Sequence, residues 1–223
     1  EKLNLLNCIA SDLEAIHSQG LLHRDLHSGN VLQDELDNAC ISDLGSETLA
    51  LKEKSQFIYG ILQCIAPEVL NGEQYTRASD IYSFGIIMWE ILYGASYILE
   101  PEPQLNMEIC YKNLRPTIIK NSPQCYVSLM KKCWDKKPEN RPSAINICEI
   151  LTEWLNNENI LLELTRSDEL LKDIKGIKST NIQIFSDNIY KSKFIESAYI
   201  QISSDNLYIS KDIEVIVIVL IKN

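Results

Sequence analysis

The chain has 223 residues, of which 45% are hydrophobic and 23% are charged, and its formal net charge is −10. This is an ordinary soluble composition with enough apolar side chains to bury a core. The acidic balance and the lack of a basic stripe argue against nucleic acid as a partner. The longest apolar run, Val215 to Ile221, is too short to cross a bilayer, so we expect no membrane partner either.

The cysteines indicate a reducing compartment. There are seven of them, an odd number, and no Cys-x-x-Cys pair or other metal-ligand spacing occurs. Reduced, mostly buried thiols are therefore favoured over disulfides or zinc ligands. From this we expect a cytoplasmic protein.

The first predicted element is a helix over residues 3 to 18, ended by Gly20. Its apolar positions recur at helical spacing, at Leu6, Ile9, Leu13 and Ile16. His17 lies beside this face. We interpret it as a partly buried helix residue rather than a metal ligand, because no second ligand type lies nearby at a useful spacing.

A polar stretch reading H-R-D-L-H-S-G-N follows, from His23 to Asn30. Residues 31–32 and 39–41 are then short β-like runs joined by the turn-rich residues 34–38, which predicts a small hairpin. The hairpin presents Asp43-Leu44-Gly45, where the glycine allows the backbone to turn. Each short motif, taken alone, is also explained by an ordinary polar turn.

Residues 46–65 are polar and then mixed, and they end at Ala66-Pro67-Glu68. A strongly apolar helix follows from Arg77. Ser79 or Asp80 is expected to cap it and Gly94 to end it. Because it is apolar on nearly every face, we expect it to pass through the middle of the domain.

The later helices carry clearer end signals. A short helix is predicted over residues 104–111, and Ser122-Pro123 reads as a cap followed by a proline in the first helical position. The stretch from Cys133 to Pro142 reads C-W-D-K-K-P-E-N-R-P. A final helix is predicted from apolar positions at helical spacing, namely Ile147, Ile150, Leu151, Trp154 and Leu155.

Five motifs thus stand in one order: His-Arg-Asp with Asn30, Asp-Leu-Gly, Ala-Pro-Glu, Asp80 with Gly85, and the Cys-Trp to Arg-Pro box. Together they resemble the C-terminal lobe of a eukaryotic protein kinase, closest to the tyrosine-kinase-like group. The resemblance covers residues 1–155. It implies an α+β fold, a mostly α-helical lobe with a small β-hairpin at the nucleotide face.

The resemblance also implies chemistry. It suggests an ATP-dependent protein kinase that transfers the γ-phosphate of ATP to a protein hydroxyl in signal transduction, with serine or threonine favoured and tyrosine as the alternative. Asp25 corresponds to the catalytic base, and Asn30 and Asp43 to the ligands of Mg²⁺. Leu32 corresponds to a residue that contacts the bound ATP. The implied partner is a protein substrate.

Further residues carry structural or regulatory roles by the same resemblance. Asp80 is expected to brace the backbone of the catalytic loop, and Arg141 to pair with Glu68. His23 and Gly45 are expected to shape the catalytic loop and the Asp-Leu-Gly turn. The 46–65 loop corresponds to an activation loop, in which an upstream kinase would phosphorylate a hydroxyl residue; the candidates are Ser46, Thr48, Ser55 and Tyr59. Plain solvent exposure is the alternative for each of them.

By the same resemblance, two residues near the expected base are expected to affect activity. Arg24 is the expected partner of an activation-loop phosphate. His27 stands where serine/threonine kinases carry a lysine, so a titratable group replaces a fixed cation near the γ-phosphate. Ile61 and Cys64 also depart from the usual residues before Ala-Pro-Glu. These departures leave an alternative open, a pseudokinase-like scaffold or protein-binding module.

The remaining expectations concern the two ends of the chain. The Gly-rich loop, the strand lysine and the helix glutamate of a full kinase are missing, so we expect the N-terminal lobe to be absent and this chain alone to have little activity. Residues 156–223 match no kinase element. A helix is predicted over 159–175 and strands over 199–203 and 207–210. A partly disordered extension is favoured over a segment that docks on the lobe.

Overall fold

The computed structural model describes residues 2–34, 38–44, 57–97, 104–174 and 193–196. Across these ranges the chain is mostly α-helical, and its strands form two antiparallel pairs. The mostly helical architecture and the first strand pair agree with the predicted fold class. In the described residues no helix has the length and apolar content that crossing a bilayer requires.

Helix α1, Lys2–Ser18, is the predicted first helix. Its apolar face is fully buried, with Leu6, Ile9 and Leu13 each 0% exposed. The helix is followed by Gly20 in the left-handed region at φ 74°, where glycine carries no Cβ penalty. The backbone therefore turns away from the helix toward the polar stretch that begins at His23.

The predicted hairpin is present. A 3₁₀ turn at Ser28–Asn30 leads into strand β1, Val31–Gln33, which pairs antiparallel with strand β2, Ala39–Ile41. The Ile41 backbone N–H donates to Asp12 Oδ2 on α1 at 2.9 Å. This bond ties the hairpin to the helical body and sets the position of the residues that follow β2.

The most buried helix is α3, Arg77–Tyr93, which follows the short helix α2, Pro67–Leu70. Its N-cap is Thr76, so the expectation of a cap at Ser79 or Asp80 was wrong. Ser79 instead accepts the Thr76 backbone N–H through its Oγ at 2.7 Å. Ser79 and Asp80 both have side chains that can cap a helix. Thr76 is the cap because the backbone is extended at that residue. Gly94 ends the helix at φ 59°, as predicted.

The later helices are α4, Leu105–Cys110; α5, Gln124–Cys133; and α6, Ala144–Leu155. Pro123, not Ser122, is the N-cap of α5, because its backbone is still extended. Ser122 is buried, and its hydroxyl lies 2.7 Å from the hydroxyl of Tyr93 on α3. A tertiary contact therefore takes the side chain that was expected to cap the helix.

The core lies where α1 packs on α6 and α3 packs on α5. Gly85 marks the closest approach of α3, since an added Cβ would lie 2.9 Å from the Cβ of Cys133. Tyr126 of α5 donates its hydroxyl to the Met88 carbonyl of α3 at 2.7 Å. This packing makes α3 the central helix, as its apolar composition predicted.

Helix α7, Glu158–Ile174, belongs to the extension and packs on α6. Lys2 Nζ lies 2.6 Å from Asp168 Oδ1, and the Gln124 backbone N–H donates to Glu163 Oε1 at 3.0 Å. This part of the extension fits the docking alternative. The strands expected at 199–203 and 207–210 lie outside the described residues.

A second strand pair was not expected. Strand β3, Phe57–Gly60, lies in the segment before Ala-Pro-Glu, and strand β4, Lys193–Glu196, lies in the extension. They pair antiparallel, with Phe57 opposite Glu196 and Gly60 opposite Lys193. The extension therefore returns to the face of the molecule that carries the polar motifs.

Candidate active site

The polar loop that begins at His23 is held by the carboxylate of Asp80 on α3. Asp80 is 1% exposed, and it accepts the His23 backbone N–H on Oδ2 and the Arg24 backbone N–H on Oδ1, both at 2.9 Å. Arg24 is in the left-handed region at φ 70°, which costs a non-glycine residue energy. The two bonds stabilise this conformation, as the expected bracing role of Asp80 requires.

His17 is a further partner of Asp80, and sequence reasoning missed it. Its Nε2 donates to Asp80 Oδ2 at 2.9 Å, and the residue is only 5% exposed. A polar side chain on the buried face of α1 must find a hydrogen-bond partner there, because an unpaired buried polar group is costly. That rule could have predicted from the sequence that His17 has a buried hydrogen-bond partner, although it could not identify the partner as Asp80.

Asp25, His27 and Asn30 lie together at the turn of the loop. The Asn30 side-chain N–H donates to the Asp25 backbone carbonyl at 2.9 Å, so the amide oxygen faces away from that bond. The His27 Nε2 lies 3.7 Å from Asp25 Oδ1, and His27 is 3% exposed. A carboxylate and an oriented amide oxygen are thus presented from one short segment.

Asp43 is positioned by its neighbour Ser42. The Ser42 backbone N–H and hydroxyl donate to the Asn30 carbonyl at 2.8 and 3.0 Å, and the His23 ring Nε2 donates to the Ser42 carbonyl at 3.0 Å. Asp43 itself has φ 62°. The backbone that carries Asp43 is therefore bonded directly to Asn30, while Gly45 lies outside the described residues.

The donor set at this turn suits magnesium. Among the described residues no group of three or more His, Cys, Asp or Glu side chains could hold a metal. The turn offers two oxygen donors, the side-chain amide of Asn30 and the carboxylate of Asp43. Mg²⁺ typically takes one or two protein oxygens together with phosphates and water. The residues present therefore fit a magnesium–nucleotide complex and do not fit a closed structural metal site.

The hairpin side of the loop is open. Leu32 is 57% exposed and Leu44 is 51% exposed, so both present apolar surface beside the residues just described. Leu32 is the expected contact for ATP, and its exposure leaves it accessible to a ligand.

Gly60 passes against Asp25 on the other side. Gly60 has φ 145°, a conformation that favours glycine, and an added Cβ would lie 3.3 Å from Asp25 Oδ1. Cys64 and Tyr75 line the small cleft beside Asp25. Burial raises the pKa of the Cys64 thiol well above its ordinary value, and the Glu90 and Asp25 carboxylates raise it further. Cys64 is therefore a neutral packing group rather than a nucleophile.

The expected ion pair between Arg141 and Glu68 is present and bidentate. The two guanidinium nitrogens donate to the two carboxylate oxygens at 2.7 and 2.8 Å, and both residues are 7% exposed. Arg141 also donates to the Ala78 and Asp135 carbonyls, each at 2.8 Å. The pair joins the end of the 46–65 segment to the start of α3 and to the loop before α6.

Comparison with known proteins agrees with these observations. Residues 1–151 match the family model described as protein tyrosine and serine/threonine kinase. The chain is 32% identical over 177 residues to the serine/threonine/tyrosine-protein kinase HT1 of Arabidopsis thaliana, which covers 78% of this chain and 45% of that protein. It is 36% identical over 157 residues to a probable LIM domain-containing serine/threonine-protein kinase of Dictyostelium discoideum, covering 67% of this chain and 23% of the relative.

The chain thus spans less than half the length of these curated relatives. The family match nevertheless includes the loop from His23, the Asp43 turn, the Glu68–Arg141 pair and Asp80 in one continuous stretch. The ordered motifs, the geometry that joins them and the extent of the match lead to one conclusion: the chain belongs to the protein tyrosine and serine/threonine kinase family.

Proposed function

We propose that this chain is the C-terminal lobe of a protein kinase of the tyrosine-kinase-like group, which catalyses ATP-dependent phosphorylation of a protein hydroxyl. Serine or threonine is the favoured acceptor, and tyrosine is the alternative. The observation that carries the proposal is that one hydrogen-bonded region carries Asp25, Asn30 and Asp43. Arg24 donates to Asp80, Asn30 donates to the Asp25 carbonyl, and Ser42 donates to the Asn30 carbonyl. We place its activity in cytoplasmic signal transduction.

Each of the three residues has one proposed task. Asp25 orients the hydroxyl of the protein substrate and accepts its proton. The Asn30 amide oxygen and the Asp43 carboxylate hold magnesium beside the nucleotide. When bound, Mg²⁺–ATP supplies the transferred phosphoryl group and the positive charge that offsets its negative charge. Leu32, exposed beside them, contacts the nucleotide.

Arg24 and His27 tune this centre. His27 lies 3.7 Å from Asp25 Oδ1 at the position where many kinases have lysine, which puts a titratable ring beside the base. Arg24 is the proposed partner of a phosphate that an upstream kinase places on the 46–65 loop, because guanidinium groups bind phosphate with charge-assisted hydrogen bonds. His23 and Glu68 hold the two ends of this region through Ser42 and Arg141.

A second candidate is a pseudokinase-like scaffold that binds other proteins. The exposure of Leu32 and Leu44 favours it, since nothing in the described part of the chain covers the nucleotide side of the loop. For the same reason we propose that this chain by itself has little kinase activity. Intact Asp25, Asn30 and Asp43 favour the enzyme.

The test uses the complete protein that contains this chain, with radiolabelled ATP, Mg²⁺ and a generic protein acceptor. We expect Asp25→Asn to lower the rate by about 10²- to 10⁴-fold, the usual contribution of a general base. In the same protein, Mg²⁺–ATP is expected to raise the melting temperature, because a ligand that binds only the native state stabilises it. A folded protein that neither transfers phosphate nor responds to Mg²⁺–ATP would instead support the scaffold.

A further inference from the structure

Strand β3 has a backbone edge next to the proposed base. Its last residue, Gly60, lies next to Asp25, since a Cβ added to Gly60 would lie 3.3 Å from Asp25 Oδ1. Neighbouring strands of a sheet lie about 4.8 Å apart. Any strand paired with β3 as far as Gly60 therefore passes within about one strand spacing of a residue that lies next to Asp25.

Such an edge suits an extended protein substrate. A peptide can bind by adding a strand to an exposed edge, with main-chain hydrogen bonds providing affinity. The acceptor hydroxyl must also come within hydrogen-bond reach of Asp25. A peptide added along β3 and extending past Gly60 meets both requirements.

The described structure already has an occupant on this edge. Strand β4 pairs with β3 over four residues, with Ile58 opposite Ile195 and Gly60 opposite Lys193. The sequence of β4 is Lys-Phe-Ile-Glu, which contains no serine, threonine or tyrosine. The four paired residues therefore offer no phosphate acceptor, although Ser192 and Ser197 flank them in the sequence.

We propose that residues 193–196 are an autoinhibitory strand that occupies, within the same chain, the β3 edge used by an extended protein substrate. The proposal rests on the proposed kinase function, which it supplements with a regulated substrate-docking edge. Release of β4 opens the edge, and a substrate peptide replaces it as the partner of β3.

The chain length between α7 and β4 permits this arrangement. The 18 residues 175–192 join the two elements, and a segment of that length can span up to about 60 Å. Helix α7 is itself docked on the body through Asp168 and Glu163. The strand is therefore covalently tethered to the body that carries its binding edge, which favours pairing within one chain over pairing between chains.

The test compares the wild-type protein with Ile195→Pro and Phe194→Pro. In an antiparallel pair, facing residues alternate between hydrogen-bonded and non-hydrogen-bonded pairs. Of the two single substitutions at these adjacent positions, one therefore removes a backbone N–H that donates to β3. Ile195→Val is the matched control, because valine keeps both the backbone N–H and the preference for a strand.

The first readout is backbone hydrogen exchange at residues 57–60. We expect at least one proline variant to exchange there at least about tenfold faster than wild type, and Ile195→Val to match wild type. Equal protection in all four proteins would overturn the proposal. Protection that falls on dilution of the wild-type protein would assign β4 to a second copy and overturn the single-chain arrangement.

The second readout is binding of a fluorescent peptide that copies residues 190–199. We expect it to bind the proline variant that loses protection at least about tenfold more tightly than wild type, because the edge is then vacant. Equal affinities for the two proteins would overturn the proposal.

Neither readout needs ATP or turnover. The kinase function and the autoinhibitory role of β4 can therefore each be rejected without rejecting the other. Faster exchange and tighter peptide binding without phosphate transfer would reject the kinase function and leave β4 as a strand that covers a peptide-binding edge. If transfer occurs, the proline variant is expected to lower the KM for a protein substrate and leave kcat unchanged. Normal transfer with an unchanged KM would reject the autoinhibitory role alone.

Discussion

The two sides of Asp25 are held in different ways. On the side toward α3, buried side chains form the contacts: Asp80 accepts the His23 and Arg24 N–H groups, and Arg141 pairs with Glu68 at 2.7 and 2.8 Å. On the other side, Gly60 ends a four-residue strand whose described strand partner comes from the extension. The first side is part of the core, and the second is a sheet edge.

This difference has a consequence for how each side opens. Contacts buried in the core are lost only when the whole domain unfolds, whereas a short two-stranded pair opens locally at a much smaller free-energy cost. The loop that begins at His23 is thus fixed by the same contacts that stabilise the fold. The β3 edge can change its partner without disturbing them.

The largest expected effect on the α3 side comes from Glu68→Ala. It leaves the Arg141 guanidinium buried without its carboxylate, which should lower the free energy of unfolding by about 3–5 kcal/mol. Urea denaturation measures this change. Glu108→Ala is the control, since it removes the exposed pair with Lys112 and should cost no more than about 0.5 kcal/mol. Similar losses in the two variants would contradict a buried, structurally important Glu68–Arg141 pair.

Asp80→Asn should have the next largest effect. The amide offers one acceptor oxygen where the carboxylate offered two, so a buried N–H of His23 or Arg24 loses its partner at a cost of about 1–3 kcal/mol. Hydrogen exchange at these two amides should accelerate in parallel with the loss of stability. Asp135→Asn, in a surface turn, is the matched control. Unchanged exchange at His23 and Arg24 would show that another group holds the loop.

Gly85→Ala tests the close packing of α3 on α5. Alanine normally stabilises a helix interior by about 0.5–1 kcal/mol relative to glycine. Here its Cβ would lie 2.9 Å from the Cys133 Cβ and 3.2 Å from the Trp134 backbone nitrogen. Overpacking costs about 1–3 kcal/mol, so we expect a net loss of about 1–2 kcal/mol in urea denaturation. Ser128→Ala, on the exposed face of α5, should be near neutral, and a stabilising Gly85→Ala would refute the close contact.

A smaller effect is expected from alkaline pH. Burial raises the pKa of the Cys110 thiol to about 11 from its ordinary value of 9.0. The neutral thiol is favoured in the folded state, so its contribution is fully present below pH 9 and is lost as the pH rises toward 11. The melting temperature should fall over this interval, and less steeply in Cys110→Ala. Cys40→Ala, which removes an exposed thiol, should follow wild type. Parallel curves for all three proteins would exclude this role for Cys110.

The smallest effect on global stability is expected from Ile195→Pro. Because β4 pairs at an edge, its loss should change the free energy of unfolding by no more than about 0.5 kcal/mol, while exchange at residues 57–60 accelerates in whichever of Phe194→Pro and Ile195→Pro removes a ladder donor. Urea denaturation followed by far-UV circular dichroism measures the global value. A loss as large as that of Glu68→Ala would show that the two sides of Asp25 do not differ in the way described.

Much of the architecture was predictable because it depends on local pattern. The buried faces of α1 and α6 follow from apolar residues at helical spacing, and the β1–β2 hairpin follows from two short runs around a turn. The Arg141–Glu68 pair was predictable only through the family resemblance, since 73 residues separate its partners. The catalytic roles of Asp25, Asn30 and Asp43 stay predictions.

The errors and omissions share one cause. Ser79 and Ser122 were favoured as caps because their side chains suit that role, but the backbone is extended at Thr76 and Pro123, and a tertiary contact with Tyr93 takes the Ser122 hydroxyl. His17 could be recognised as a buried polar residue but not as a partner of Asp80. Strand β4 has no strong signal in its four residues, because its pairing with β3 depends on a segment far away in sequence.

The sequence by itself determined the order of the motifs, the helical periodicity and the membership of the chain in the kinase family. Only the tertiary structure decided that His17 bonds to Asp80, that Gly60 lies against Asp25, and that the extension supplies the partner of β3. The physical reason is the separation along the sequence over which each kind of interaction acts. Periodicity and turn chemistry act over a few neighbouring residues, whereas these contacts join positions that become neighbours only after the core has formed.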